Sequence, residues 1–136
     1  MKQGRTLVAF LLLTVLIIFS GCRKDEVKIE KWIVGTWNMD KYVQETYSDG
    51  KLQGTSESTN QGKIEFRKDG TGTDIGGNFI GSDFTWTNTD KVLELTEGLG
   101  NKTVYDIENF SKKDFVFSIT HISGTEKEIE RWYLSK

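Results

Sequence analysis

Ile64-Glu65-Phe66-Arg67-Lys68-Asp69-Gly70-Thr71-Gly72 decides how the rest of the chain is read. Ile64 and Phe66 alternate with Glu65 and Arg67, and the run stops at Lys68-Asp69-Gly70. Side chains two apart share one face of a strand, and Gly takes positive φ cheaply, so this is a half-buried strand running into a tight turn. The same phrase recurs along the chain. Apolar pairs stand at Trp37 and Met39, Phe84 and Trp86, Leu93 and Leu95, and Tyr105 and Ile107, then at Phe115, Phe117 and Ile119. Turn signals such as Ser48-Asp49-Gly50, Gly76-Gly77, Thr89-Asp90, Gly98-Leu99-Gly100-Asn101 and Ser123-Gly124 separate them. The spacing predicts an all-β domain of about eight antiparallel strands joined in sequence order. Curling into an up-and-down barrel buries every greasy face and removes the open edges; a two-sheet sandwich satisfies the same pattern.

Composition bounds the rest. At 136 residues the chain holds one domain. Its single Cys excludes a disulfide framework and a Cys-based zinc site. A net charge of −2 gives no footprint for nucleic acid, which is bound by clustered Lys and Arg. Zero Pro is compatible with nearly continuous ladders.

The N-terminus reads as an address. Lys2 and Arg5 precede the charge-free run Leu7 to Phe19, then Ser20-Gly21-Cys22. At about 1.5 Å per residue the run makes roughly 20 Å of helix, short of the about 30 Å bilayer core and suited to a signal-peptide h-region. Phe19-Ser20-Gly21-Cys22 resembles the lipobox of bacterial lipoproteins, with Phe19 where Leu is usual. The resemblance implies cleavage before Cys22, a covalent lipid on Cys22, and no other cofactor. Residues 1–21 are then the signal peptide and 22–32 the lipidated Cys with a charged tether and short helix. Asp25 is a candidate N-cap for that helix, with Ile29, Trp32 and Ile33 on one side. Arg23-Lys24-Asp25-Glu26 reads as a solvated tether, and its Lys followed by two acids is similar to the signal that sends some lipoproteins to the outer face of the outer membrane. The expected location is the outer membrane, anchored through its lipid.

Gly35-Thr36-Trp37 resembles the Gly-x-Trp that opens the first strand of lipocalins. Together with Ile64 to Gly72 and Phe84-Thr85-Trp86, it is similar to the lipocalin-like domains of bacterial lipoproteins, a likeness running from about Ile33 to residue 136. The resemblance implies a lipocalin-like barrel over 33–136. It also implies a late Arg lying across the Trp to close one end, which nominates Gly35, Trp37 and Arg131. Periodicity leaves open which face of 127–134 points inward.

Catalysis is not expected. His121, the only His, continues the phase of Phe115, Phe117 and Ile119 and reads as a strand-end hydrogen bonder. Nucleophile motifs are absent, the Cys is committed to lipid, and no ligand spacing suggests a metal. Two readings remain for function. In the first, the barrel binds a small hydrophobic ligand, with Phe84, Trp86, Tyr105 and Phe117 as candidate cavity wall. In the second, the aromatics fill the interior. The barrel is then a scaffold for a protein partner, with Gln53–Gln61 and Ile75–Asp83 as surface loops or ragged edge strands. An apolar cavity above about 300 Å³ favours the first, a filled interior the second.

Overall fold

The computed structural model describes residues 29–136. The expected signal peptide, Cys22 and the tether with the candidate cap Asp25 lie outside the described residues. A short helix α1 (Ile29–Ile33) leads into nine strands: β1 (Gly35–Ser48), β2 (Lys51–Thr59), β3 (Lys63–Phe66), β4 (Thr71–Ile75), β5 (Asp83–Asn88), β6 (Val92–Glu97), β7 (Lys102–Phe110), β8 (Asp114–Ser123) and β9 (Glu126–Ser135). All pairings are antiparallel, and β9 returns to β1, so β1 and β3 to β9 form a closed barrel of eight strands. The barrel, not the sandwich, is the solution this alternation takes.

The ninth strand has a simple origin. On the side of β1 away from β9, β3 pairs with Gly35–Asn38 and β2 with Lys41–Ser48. Backbone bonds from Asn60 and Gln61 to Asp40 and Met39 carry the ladder across the gap between them. β2 and β3 are one bent strand, of which only the β3 part enters the barrel wall. β2 is exposed along its whole length, because nothing in Lys51–Thr59 supplies a greasy face to bury. The Gln53–Gln61 stretch is thus mostly an edge strand of an arm that β1 and β2 build above the barrel.

The wall is uneven. β3 to β6 have four to six residues each, whereas β7, β8, β9 and β1 have nine to fourteen. α1 closes one end with Ile29 and Ile33, both buried against Trp37 and its neighbours. At the other end the segment joining β4 to β5, 76–82, starts from the low wall and reaches toward the tall one. The core between these ends is aromatic. Trp37, Phe66, Phe84, Trp86, Tyr105, Phe115, Phe117 and Trp132 are all buried in a single cluster.

Candidate functional site

At the closed end, Trp37 is fully buried, and its Nε1 donates to the Ile33 carbonyl at 2.7 Å, pinning the helix to the first strand. The cation over its ring is Lys136, with Nζ 4.2 Å from the ring centre. The same Nζ donates to the carbonyls of Trp32 and Val34, each at 2.9 Å, so one ammonium closes the end and satisfies two helix-end acceptors. Burial holds the Lys136 amine below the usual lysine range. Gly35, at φ +122°, lies just beneath, where a Cβ would come 3.2 Å from Nζ.

Arg131 does not take this place. Its register partners are Val43 and Ser118, one residue out of phase with the inward-facing Trp132 and Leu134. The guanidinium therefore lies on the outer face, bonded to Glu45 at 2.8 Å and to Glu108 at 2.9 and 3.0 Å, tying β9 to β1 and β7. Hydrogen bonding by Arg131, then by Tyr47, holds the Glu45 carboxyl below its usual range. Lys136 continues the inward phase of Trp132 and Leu134, which is why it reaches Trp37.

The four candidate wall residues divide into two groups. Phe84 and Trp86 pack edge-on against Phe66, with ring centres 5.7 and 5.5 Å away. Trp86 Nε1 donates to the Thr71 carbonyl at 2.9 Å. An edge of Trp86 borders an open groove of about 660 Å³, together with Glu30, Lys31, Val34, Lys68 and Asn88. Charged and open to solvent, this groove is not the apolar cavity that ligand carriage calls for.

Tyr105 and Phe117 belong to the other end. With Trp132 they surround the ring of Phe79, at 5.6, 5.5 and 5.0 Å between centres. Phe79 sits in the β4–β5 segment, which is not merely a surface loop: it crosses the mouth and puts an aromatic plug into it. The plug is held by Asp74, whose Oδ2 accepts the N–H groups of Phe79, Ile80 and Gly81 at 2.9, 2.8 and 3.0 Å. Three converging N–H donors suit an anionic oxygen.

Above the plug the inner face of the tall wall turns polar. Tyr42 packs against Trp132 with ring centres 5.2 Å apart and planes tilted by 47°, followed by Glu130, Glu128 and His121, with His121 Nε2 3.7 Å from Glu130. Burial, reinforced by the Glu130 charge, pushes the Tyr42 hydroxyl up to about 12. Burial, then Glu130 and Glu97, do the same for Tyr105, also to about 12. Burial likewise raises the Glu130 carboxyl above its usual range. Among the described residues, no group of three or more His, Cys, Asp or Glu side chains converges to hold a metal.

Sequence reasoning missed Phe79, Asp74, Trp132 and Lys136. The signals were present: an aromatic between Gly77 and Gly81, and an Asp two residues beyond the inward Gly72.

A family model described as a lipocalin-like domain matches residues 33–117. Among curated proteins and solved structures, none matches.

Proposed function

The chain belongs to the lipocalin-like domain family, and from that premise we propose that it is a lipid-anchored, non-catalytic binding module of the outer membrane that takes a small hydrophobic ligand at the barrel mouth. Members of this family are generally binding folds, and a lipocalin-like barrel suggests a small-molecule module. The observation that carries the reading is the Phe79 plug. A barrel built only as a scaffold needs no glycine-flanked loop to supply its last aromatic, whereas a binding barrel needs a part that can leave.

The anchor suits this geometry. The described chain enters at α1, the end opposite the mouth, and the seven-residue step from Cys22 to Ile29 reaches at most about 25 Å. A lipid on Cys22 would hold the closed end toward the membrane and present the mouth and the arm away from it. One acyl chain anchors a protein only marginally and two or three hold it stably, so the multiple acylation that a lipobox implies fits a permanent surface module.

A second reading is favoured by two observations, of which the filled interior is the outcome that the cavity criterion assigns to a scaffold. The outer edge of β2 has no strand partner among the described residues, and the interior is filled by aromatics, as a scaffold docking a protein would require.

Native mass spectrometry of the protein extracted from its membranes in mild detergent tests both parts. The expected result is a chain beginning at Cys22, heavier by a diacylglyceryl group and an acyl chain, with a small-molecule adduct. An unlipidated chain retaining residues 1–21 refutes the anchor. A clean ligand-free mass accompanied by a stoichiometric protein partner refutes carriage in favour of the scaffold.

A further inference from the structure

Asp74 is 7% exposed, and its Oδ1 is buried with no hydrogen-bond partner among the described residues. Its other oxygen is saturated by the three N–H groups of the plug segment. The first of those N–H groups belongs to Phe79, whose half-buried ring sits in an aromatic box of Tyr105, Phe117 and Trp132. Resting on the reading of the barrel as a small-molecule module, we propose that the space held by Phe79 is the ligand site. It takes an amphipathic amine, its apolar body in the aromatic box and its ammonium on Asp74, with the rim carboxylate of Glu130 adding to the negative field of the mouth.

The selectivity follows from what opening the mouth does to Asp74. Moving the plug segment withdraws the donors from Oδ2 while Oδ1 already has none. A buried carboxylate stripped of donors is strongly unfavourable, so any occupant that displaces the segment must bring donors of its own. An ammonium brings three and the complementary charge; an alcohol brings one; a carboxylate brings none. The surrounding field points the same way. Glu97 and Glu130 both lie close enough to Tyr105 to raise its hydroxyl, and Glu128 follows in the phase of Glu130. The Lys and Arg residues of β1 and β9, Lys41, Lys127 and Arg131, stand in the opposite phase, on the outer face, while His121 shares the inner face and is 3.7 Å from Glu130. Aromatic faces attract a cation as well as an apolar chain. Anionic amphiphiles such as fatty acids are repelled by this mouth.

The test is a titration of the full chain, in neutral-detergent micelles, with 4-phenylbutylamine, 4-phenylbutanol and 4-phenylbutyrate, read by tryptophan fluorescence. The amine should bind about tenfold more tightly than the alcohol, and the acid should not bind measurably. Asp74→Asn should bring the amine and the alcohol to within about threefold of each other. Glu130→Gln, a rim change that leaves the plug in place, should weaken the amine by about threefold or more while leaving the alcohol unchanged. Equal binding of alcohol or acid in the unmodified protein overturns the proposal, as does an amine preference intact in both variants. If none of the three binds either the unmodified protein or Phe79→Ala, the small-molecule reading itself falls.

Discussion

Trp37→Ala is expected to lower the free energy of unfolding by about 3–5 kcal/mol, to be read by urea denaturation of the full chain. Trp37 has no exposed surface, so its removal leaves a void between Phe110 and Phe115, whose rings lie 5.9 and 5.7 Å away. Two further losses add to the void. The Ile33 carbonyl loses the indole donor that fixes α1 to β1, and the Lys136 ammonium loses the ring beneath it. Trp37→Phe isolates these terms: it keeps most of the packing and removes the N–H, and should cost about 1–2 kcal/mol. A Trp37→Ala loss below about 1 kcal/mol would mean that this end of the barrel is not closed as described.

Gly72→Ala should destabilise by about 3 kcal/mol in the same denaturation experiment, at the upper end of what one added methyl does. Gly72 is buried on the inner face of β4, directly opposite Phe84. A Cβ there would clash with the edge of the Phe84 ring and come 2.6 Å from the Glu65 carbonyl oxygen. The ring can shift; the backbone oxygen cannot shift without disturbing the β3–β4 ladder. Phe84→Ala in the same chain relieves the first contact and not the second. The double variant should therefore be more stable than the two single losses add up to, by about 1 kcal/mol or more. Additive losses, or a Gly72→Ala protein as stable as the parent, would contradict this packing.

Much of the barrel was legible because alternation survives in the short strands. Ile64 and Phe66, Phe84 and Trp86, and Leu93 and Leu95 are inward pairs in the structure as in the periodicity. Where the reading stopped, a bulge or a missing greasy face is responsible. A strict period of two from Trp37 and Met39 carries Lys41 and Val43 inward. The irregularity between Met39 and Lys41 resets the phase, so Tyr42 meets Trp132 instead. A second shift, between Ile107 and Asn109, turns Phe110 back toward Phe115 and Trp37. Strand β2 left no period-two signal because both its faces are exposed; backbone pairing to β1 alone makes it a strand.

The candidate site was harder to read for a related reason. Glu128, Glu130, Trp132, Leu134 and Lys136 share one phase, while Lys127, Ile129, Arg131 and Tyr133 share the other. Both phases mix apolar and charged side chains, so hydrophobicity alone does not choose between them. The choice comes from β1 and β8 on either side, which set Trp132 against Tyr42 and Phe117. With that phase, the closing cation is Lys136 and not Arg131. The plug was hidden for another cause: 76–82 is glycine-rich and carries no periodicity, and only the height difference between the two walls lets Phe79 fold inward.

The most direct test is nuclear Overhauser spectroscopy of the Phe79 ring, without and with 4-phenylbutylamine. In the free protein, contacts to the rings of Tyr105, Phe117 and Trp132 are expected, and saturating amine should replace them with contacts from the probe to those same three rings. A Phe79 ring in solvent before the amine is added, or one whose contacts persist unchanged at saturation, would contradict a barrel mouth filled by its own displaceable side chain.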